Sequence, residues 1–472
     1  MRNCEIYSAA VLTIFLTGCE VGPDYQQPQM DMPAIDKKSK AVDETIAKFM
    51  RTEWWTVFKD TTLDKLERQA IEHNADLKQA VANIEIARAE AGIATSSLLP
   101  SVKTEMSVGK THPSRNMSAT AKDAIDYLGT VGISYELDFF GKYRRADEAA
   151  MALLLSSEAA REVVMLAVTS DVAKTYFSIR ALDAKLAIAT RTLKSREESY
   201  VVYRNRFLNG YCTELDCLRV EAEMASVKAT VLDLEVALTK AEIALKALLG
   251  CSPREIISKK INRGASIERL RIPSNVPDGV PSDLITRRPD VLQSEGQLIA
   301  ANAAIGEALA LYFPSFSLTG AYGFESKSLT SLFSGDSDMW KFTGGFSLPI
   351  FNGGKISCLT KKAEINYQKA SLIYAGTIKK AFREVLDSLV SHRKNSEIVI
   401  SRTRQVNALK KSYNLAMSQK ESGLIGLLDL LDVERGLLSA EMELVGALQS
   451  HLNSVVDLCK ALGGGWTQSR LL

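Results

Sequence analysis

Two alternations of apolar and polar residues divide this chain. In the stretch FPSFSLTGAYGFE at 313–325, Phe316, Leu318, Tyr322 and Phe324 alternate with Ser315, Ser317, Thr319, Ala321 and Gly323. A period of two belongs to a strand with one apolar and one polar or small face. The same pattern recurs at 340–350, where Trp340, Phe342, Phe346, Leu348 and Ile350 alternate with Lys341, Thr343, Gly345 and Ser347. It recurs twice more upstream. Val102, Thr104, Met106 and Val108 alternate with Ser101, Lys103, Glu105 and Ser107, and Tyr127 to Phe139 alternate with Thr130, Gly132, Ser134, Glu136 and Asp138. Polar loops at 110–126 and 325–339 join the partners, so the spacing predicts two strand hairpins, at about 101–139 and 315–350.

The remaining sequence reads as long helices. No proline occurs from 114 to 252 or after Pro349, and these tracts are rich in Ala, Leu, Glu, Lys and Arg. A proline inside a helix costs about 3 kcal/mol, so its absence permits unbroken helices. The pattern predicts helices over 63–97, 142–209, 213–249, 283–311, 355–421 and 426–461. The second and fifth exceed sixty residues, roughly 100 Å at ~1.5 Å per residue, a length that suits coiled-coil packing.

The two halves repeat. Asp76, Gly92, Pro100 and Gly109 stand 214 positions before Asp290, Gly306, Pro314 and Gly323. Beyond a one-residue shift in the loop, Gly132, Ser134 and Gly141-Lys142 stand 213 before Gly345, Ser347 and Gly354-Lys355. The same offset pairs Gly210 with Gly423, Leu215-Asp216 with Leu428-Asp429, and Val220-Glu221 with Val433-Glu434. An offset held this long marks a tandem duplication. Gly210 and Gly423 then mark the turns at the tips of two long helical hairpins.

Composition narrows the class. The chain has 472 residues and a formal charge of +2, which gives no basic footprint for nucleic acid. Arg2, an apolar run from Ala9 to Leu16 and Leu16-Thr17-Gly18-Cys19 read as a secretory signal peptide at 1–18 of the bacterial lipoprotein type. Cys19 is the expected lipid-attachment residue, carrying acyl chains such as palmitate, each buried methylene contributing about 0.8 kcal/mol. Glu20 in place of an aspartate favours the outer membrane. No later stretch approaches the ~20 apolar residues of a spanning helix, so any membrane crossing uses strands. Strands of roughly ten residues with one apolar face match transmembrane barrel strands, although a soluble sheet packed on a core shows the same alternation. Four strands cannot close a barrel, and an open edge in lipid leaves backbone groups unpaired. Chains must therefore share one: two give eight strands and a filled interior, three give twelve and a wet lumen, and periodicity does not choose between three and four chains.

No catalytic or cofactor constellation is apparent, and neither enzyme activity nor a cofactor is expected. The four histidines, His73, His112, His392 and His451, lack metal-ligand spacing, and no phosphate loop or nucleophile elbow occurs. Gly463-Gly464-Gly465 follows a helix and reads as its C-cap. Cys212, Cys217, Cys251, Cys358 and Cys459 show no Cys-x-x-Cys pair and read as free thiols, with approach of Cys212 to Cys217 left open.

Several motifs together resemble the outer-membrane factor family, the TolC/OprM-like exit ducts, in its lipoprotein branch. They are Cys19 with Val21-Gly22-Pro23-Asp24-Tyr25-x-x-Pro28, Trp54-Trp55-x-x-Phe58, Asn74-Ala75-Asp76-Leu77, Tyr135-x-x-Asp138-x-x-Gly141, Arg287-Arg288-Pro289-Asp290-Val291, Pro349-Ile350-Phe351-Asn352-Gly353-Gly354 and Leu462-Gly463-Gly464-Gly465-Trp466. The resemblance implies a mixed, mostly α fold. It implies a homotrimer with a shared twelve-stranded transmembrane β-barrel, four strands per chain, above a long periplasmic α-helical barrel. The expected layout is a signal peptide at 1–18, a lipid-anchored segment at 19–62, a first repeat at 63–271, a linker at 272–289, a second repeat at 290–461 and a tail at 462–472. The family implies an exit duct of a tripartite efflux system in the outer membrane. Such a duct passively conducts small toxic compounds or drugs received from an inner-membrane transporter through a periplasmic adaptor. A protein-secretion duct, or a periplasmic coiled-coil adaptor or structural lipoprotein, are the alternatives; the last leaves the strand hairpins unexplained. Asp216, Asp429 and Asp432 match acidic residues that constrict the periplasmic end in relatives, where threefold copies form rings that attract cations. Capping of a helical turn is the competing role for these aspartates. Lys420 and Ile425 stand where some relatives carry a latching tyrosine and arginine, so another closing contact is expected.

Overall fold

The structure, a computed structural model, describes residues 20–29, 53–112, 114, 116, 123–270 and 287–464. Cys19, the signal peptide, most of the linker and the last eight residues lie outside the described residues. In chain order the main elements are α1 (Thr61–His73), α2 (Ala75–Ser96), β1 (Ser101–Thr111), β2 (Ala124–Leu137), α3 (Lys142–Leu208), α4 (Glu214–Leu248) and α5 (Pro253–Ser258). The second half supplies α6 (Pro289–Ala310), β3 (Ser315–Ser326), β4 (Asp338–Ser347), α7 (Lys355–Glu421) and α8 (Leu427–Ala461). The repeat is metric as well as sequential. α2 and α6 have 22 residues each, α3 and α7 have 67, and α4 and α8 have 35. No helix among the described residues is long and apolar enough to cross a membrane.

Three local departures from the sequence pattern have simple causes. The helix expected over 63–97 breaks at Asn74, whose side-chain Oδ1 accepts the amide protons of Asp76 and Leu77 at 2.8 and 3.2 Å. Asn74 thus caps α2, and its amide also donates to the Leu248 carbonyl at 2.8 Å, tying that break to the end of α4. β4 ends at Ser347 rather than 350, because Pro349 lacks the N–H that a ladder needs. The described helix after the linker starts at Pro289, a residue preorganised for the first helical position.

The chain forms two compact units. The first comprises Asn83–Ser157 and Gln293–Ala375 with the N-terminal segment 20–29. Its centre is one antiparallel sheet in the order β1-β2-β3-β4, so the two hairpins join through β2 and β3. The register aligns Thr104 with Val131, Val131 with Tyr322, and Tyr322 with Trp340. Below the sheet, Phe140 stacks on Phe313 at 4.7 Å, and Phe316 meets Phe139 and Phe346 edge-on at 5.2 and 5.3 Å. The Val-Gly-Pro-Asp-Tyr motif is a strap. Val21 donates to the Phe140 carbonyl, Asp24 pairs with the buried Arg145 at 2.7 Å, and the Tyr25 hydroxyl donates to Glu295 at 3.1 Å. Gly22, at φ +108°, lies so close to α6 that a Cβ there would stand 2.5 Å from the Gly306 Cα. Only glycine fits on both sides of that contact.

The second unit comprises the described parts of Asp31–Ala82, Glu158–Leu292 and Gly376–Leu472. Its core collects Trp54, Trp55, Phe58, Tyr176, Phe177, Leu245, Leu452 and Val456, all buried. Phe58 meets Phe177 edge-on at 4.8 Å, and the Trp54 indole donates to the Thr169 hydroxyl. The Trp-Trp-x-x-Phe motif is therefore the anchor of a core. Arg288 is buried and donates to Asp290 and Glu384 and to the Ala461 carbonyl, which joins the start of α6 to α7 and to the end of α8. His392 on α7 and His451 on α8 face each other, both buried, with ring centroids 5.0 Å apart. Burial holds both imidazoles below their ordinary value, and His392 helps to push His451 down to about 4. All five cysteines among the described residues are free, and burial raises the Cys459 thiol.

Two outcomes test these packings. Gly306→Ala is expected to detach the 20–29 strap, at a cost of about 1–3 kcal/mol; limited proteolysis should then cut this segment faster than in the wild type. Because the folded chain resists protonating the histidine pair, the unfolded chain takes up protons first as pH falls below 6.5. Stability is thus complete above pH 6.5 and drains away towards pH 4, and His451→Gln should flatten that slope in thermal melts recorded against pH.

Candidate functional site

The first candidate surface is the sheet, read face by face. The register puts Val102, Met106, Val131, Ile133, Tyr322, Trp340, Phe342 and Phe346 on one side, and every one of them is exposed. Large apolar side chains in a contiguous exposed band require a nonaqueous partner. The opposite side carries Lys103, Glu105, Thr130, Gly132, Ser134, Thr319, Ala321, Lys341 and Thr343. A concavity of about 370 Å³ lies over this polar face, so the sheet curves towards its polar side. β1 and β4 each have one ladder partner among the described residues, which leaves an unpaired edge on either side. A curved sheet with a greasy outside, a wet inside and two open edges is a sector of a barrel.

The second candidate surface is the pair of helical turns. Gly210 has φ +77° and Gly423 has φ +72°, the left-handed conformation that glycine adopts without strain. In each turn the next residue closes a wide loop: Tyr211 N–H donates to the Arg206 carbonyl, and Leu424 N–H to the Gln419 carbonyl, both at 2.8 Å. The acidic residues follow at once. Asp216 sits in the first turn of α4 and accepts the Thr213 hydroxyl at 2.7 Å, while the Thr213 hydroxyl accepts the Asp216 amide proton. Asp429 holds the matching place in α8 and accepts the Gly426 amide proton at 3.0 Å. Asp216 thus stabilises its helix start by reciprocal bonding with Thr213, Asp429 by accepting one amide proton from Gly426, and both lie at the positive end of a helix dipole. Asp432 lies one turn on, exposed, 3.9 Å from the Arg435 guanidinium. The two carboxylates of α8 share a face, as their spacing requires.

The tip holds a contact that sequence reading missed. The Lys420 ammonium lies 5.9 Å from the centroid of the Tyr203 ring, and the Arg206 guanidinium lies 5.6 Å from the same ring. Two cations, from α7 and α3, converge on one aromatic ring, an attraction of about 0.5–1 kcal/mol each at exposed sites. Ile425, half-buried, carries no charge to place over such a ring. Further from the tip, Arg196 of α3 pairs with Glu434 of α8 at 3.3 Å, Arg402 of α7 with Glu443 of α8 at 2.6 Å, and Arg435 of α8 with Glu223 of α4.

Comparison with known proteins decides the family. The outer membrane efflux protein profile matches residues 66–251 and again residues 280–464, once per half. The chain belongs to the outer membrane efflux protein family. It is 34% identical over 473 aligned residues to the probable efflux pump outer membrane protein TtgC of Pseudomonas putida, covering 98% of this chain and 96% of that one. It is 31% identical to the probable outer membrane lipoprotein SilC of Salmonella typhimurium, covering 97% and 98%. Among solved structures it resembles the CmeC outer membrane channel of Campylobacter jejuni, with a TM-score of 0.90, 28% identity and 96% of both chains covered. The fold is the mostly helical, twice-repeated architecture of the TolC-like outer-membrane factors, with four strands per chain. The protein is an outer-membrane efflux protein with a periplasmic helical domain.

The capping geometry separates the three aspartates. Asp429→Ala should loosen the tip by about 1 kcal/mol, seen as roughly fivefold faster amide exchange over the first turn of α8. Asp432→Ala should leave that exchange unchanged. Equal effects of the two substitutions would contradict the assignment.

Proposed function

We propose that three copies of this chain pool their sheets into one twelve-stranded barrel in the outer membrane. The assembly is the exit duct of a tripartite efflux system. One observation carries this reading: the four-stranded sheet has an exposed apolar face and two unpaired edges, which no single chain can satisfy in lipid. Twelve strands leave a lumen wide enough for water, and the polar, small residues of the concave face suit its wall. An inner-membrane transporter and a periplasmic adaptor deliver small toxic compounds to the helical end. The names of TtgC, an efflux pump protein, and CmeC, an outer membrane channel, support that role. Conduction through this chain is passive, without catalysis, and the transporter supplies the energy. Lipid on Cys19 adds an anchor, a reading supported by the lipoprotein SilC.

The same reading assigns the periplasmic gate to the tip turns at Gly210 and Gly423, with Asp216, Asp429 and Asp432. Threefold copies of each carboxylate make rings that attract cations into a narrow opening. Asp216 and Asp429 also hold the turns together by capping, so Asp432, exposed and outside the caps with only the solvent-facing Arg435 at 3.9 Å, is the residue whose charge acts on ions. The contact of Tyr203 with Lys420 and Arg206 is the candidate closing latch.

Purified protein in a planar bilayer should conduct, and multivalent cations added on the helical side should block it. Asp432→Ala should weaken that block severalfold, whereas an unaltered block would remove this residue from the gate. Loss of the gene should sensitise cells to dyes or antibiotics. Unchanged susceptibility together with loss of an exported polypeptide would instead favour a protein-secretion duct.

A further inference from the structure

The concave face of the sheet carries a charge arrangement that conduction alone does not require. The register aligns Lys103 with Gly132, Gly132 with Ala321, and Ala321 with Lys341, so both lysines stand in one row across the sheet. The residues between them offer no side chain longer than a methyl group. The stem of Lys103 leans over this floor, with its Cγ 3.9 Å from where a Cβ on Gly132 would be. Both lysines are exposed, and both border the 370 Å³ concavity. Neither ammonium has a carboxylate partner among the described residues.

The acidic groups of this face do not cancel the row. Glu105 is nearest, two residues from Lys103, which leaves one carboxylate against two ammonium groups. Glu325 lies four residues from Ala321 and Asp126 six from Gly132. At about 3.4 Å per residue these are roughly 14 and 20 Å away, beyond the ~10 Å screening length of 0.1 M salt. On the other side Glu136 is occupied by Lys142 at 3.2 Å and by the Tyr143 hydroxyl at 2.7 Å.

We propose that Lys103 and Lys341 form an anion-binding girdle inside the barrel. It engages carboxylate, sulfonate or phosphate groups of solutes in transit and disfavours free cations at that level. This rests on the trimeric duct proposed above. Closing the barrel pairs β4 of one copy with β1 of the next, which places Lys341 beside the strand that carries Lys103. Six ammonium groups then encircle the lumen. Unpaired charges on a low-dielectric wall focus their field into the water they surround, so the row acts on passing ions more strongly than the same charges on a convex surface. The duct thereby carries two filters of opposite sign, acidic at the helical tips and basic within the sheet.

The test uses full-length protein in planar bilayers under a potassium chloride gradient near 0.1 M. Lys103→Gln with Lys341→Gln should raise the cation-to-anion permeability ratio by about twofold or more, because the focused positive potential is gone. Benzoate should slow the wild-type current and not that of the double variant. Lys103→Arg with Lys341→Arg keeps the charge and should behave as the wild type. An unchanged ratio in the glutamine variant, or an equal shift in the arginine variant, would overturn the girdle. If none of the proteins conducts, the duct reading fails. Equilibrium binding of tripolyphosphate to the detergent-solubilised chain then decides the girdle, supported if the glutamine pair loses binding and overturned if all three proteins bind alike.

Discussion

A backbone amide or carbonyl left unpaired in hydrocarbon has no water to turn to, and each such group costs several kcal/mol. Everything distinctive about this protein follows from that constraint acting on four strands. Among the described residues the sheet β1-β2-β3-β4 is satisfied internally and open at both edges. Its exposed apolar band, from Val102 to Trp340, makes lipid the favourable surrounding for one face and water for the other. Sharing the edges among copies resolves both demands at once. It also explains why the chain is a duplication: each half contributes one hairpin, and the β2–β3 ladder fuses them into a sector large enough to curve.

Within each unit the remaining residues fix neighbouring elements to one another. Family motifs that look like scattered signatures turn out to be fixings. The Val-Gly-Pro-Asp-Tyr strap is pinned through Gly22 against Gly306 and Asp24 against Arg145. Asn74 both ends α1 and caps α2 while holding the end of α4. Arg288 joins three elements through a buried guanidinium that is fully engaged with carboxylates and a carbonyl. A buried charge is tolerable only when satisfied in this way.

The tip turns place acidic residues for a structural reason. Asp216 and Asp429 cap their helices, which places a carboxylate at the start of each returning helix whether or not ions pass. A duct that narrows at such turns acquires acidic rings as a consequence of good helix capping. On the gate proposed above, capping and ion attraction do not exclude one another at Asp216 and Asp429. Asp432, outside the cap, carries no such structural duty.

Local pattern was enough for much of this. Helix lengths, strand positions, the repeat and the glycines at the turns depend on neighbours two to four residues apart, and those spacings are written directly in the chain. The unbroken proline-free tracts became helices of 67 residues in both halves. The tertiary structure alone decided what meets what. It set the pairing of β2 with β3 almost two hundred residues apart, the alignment of Lys103 with Lys341, and the meeting of Tyr203 with Lys420. It also decided the burial of His392 against His451. None of these leaves a periodic trace, because each depends on how distant segments pack, and a lysine or tyrosine in an amphipathic pattern looks the same whether its partner is water or another side chain.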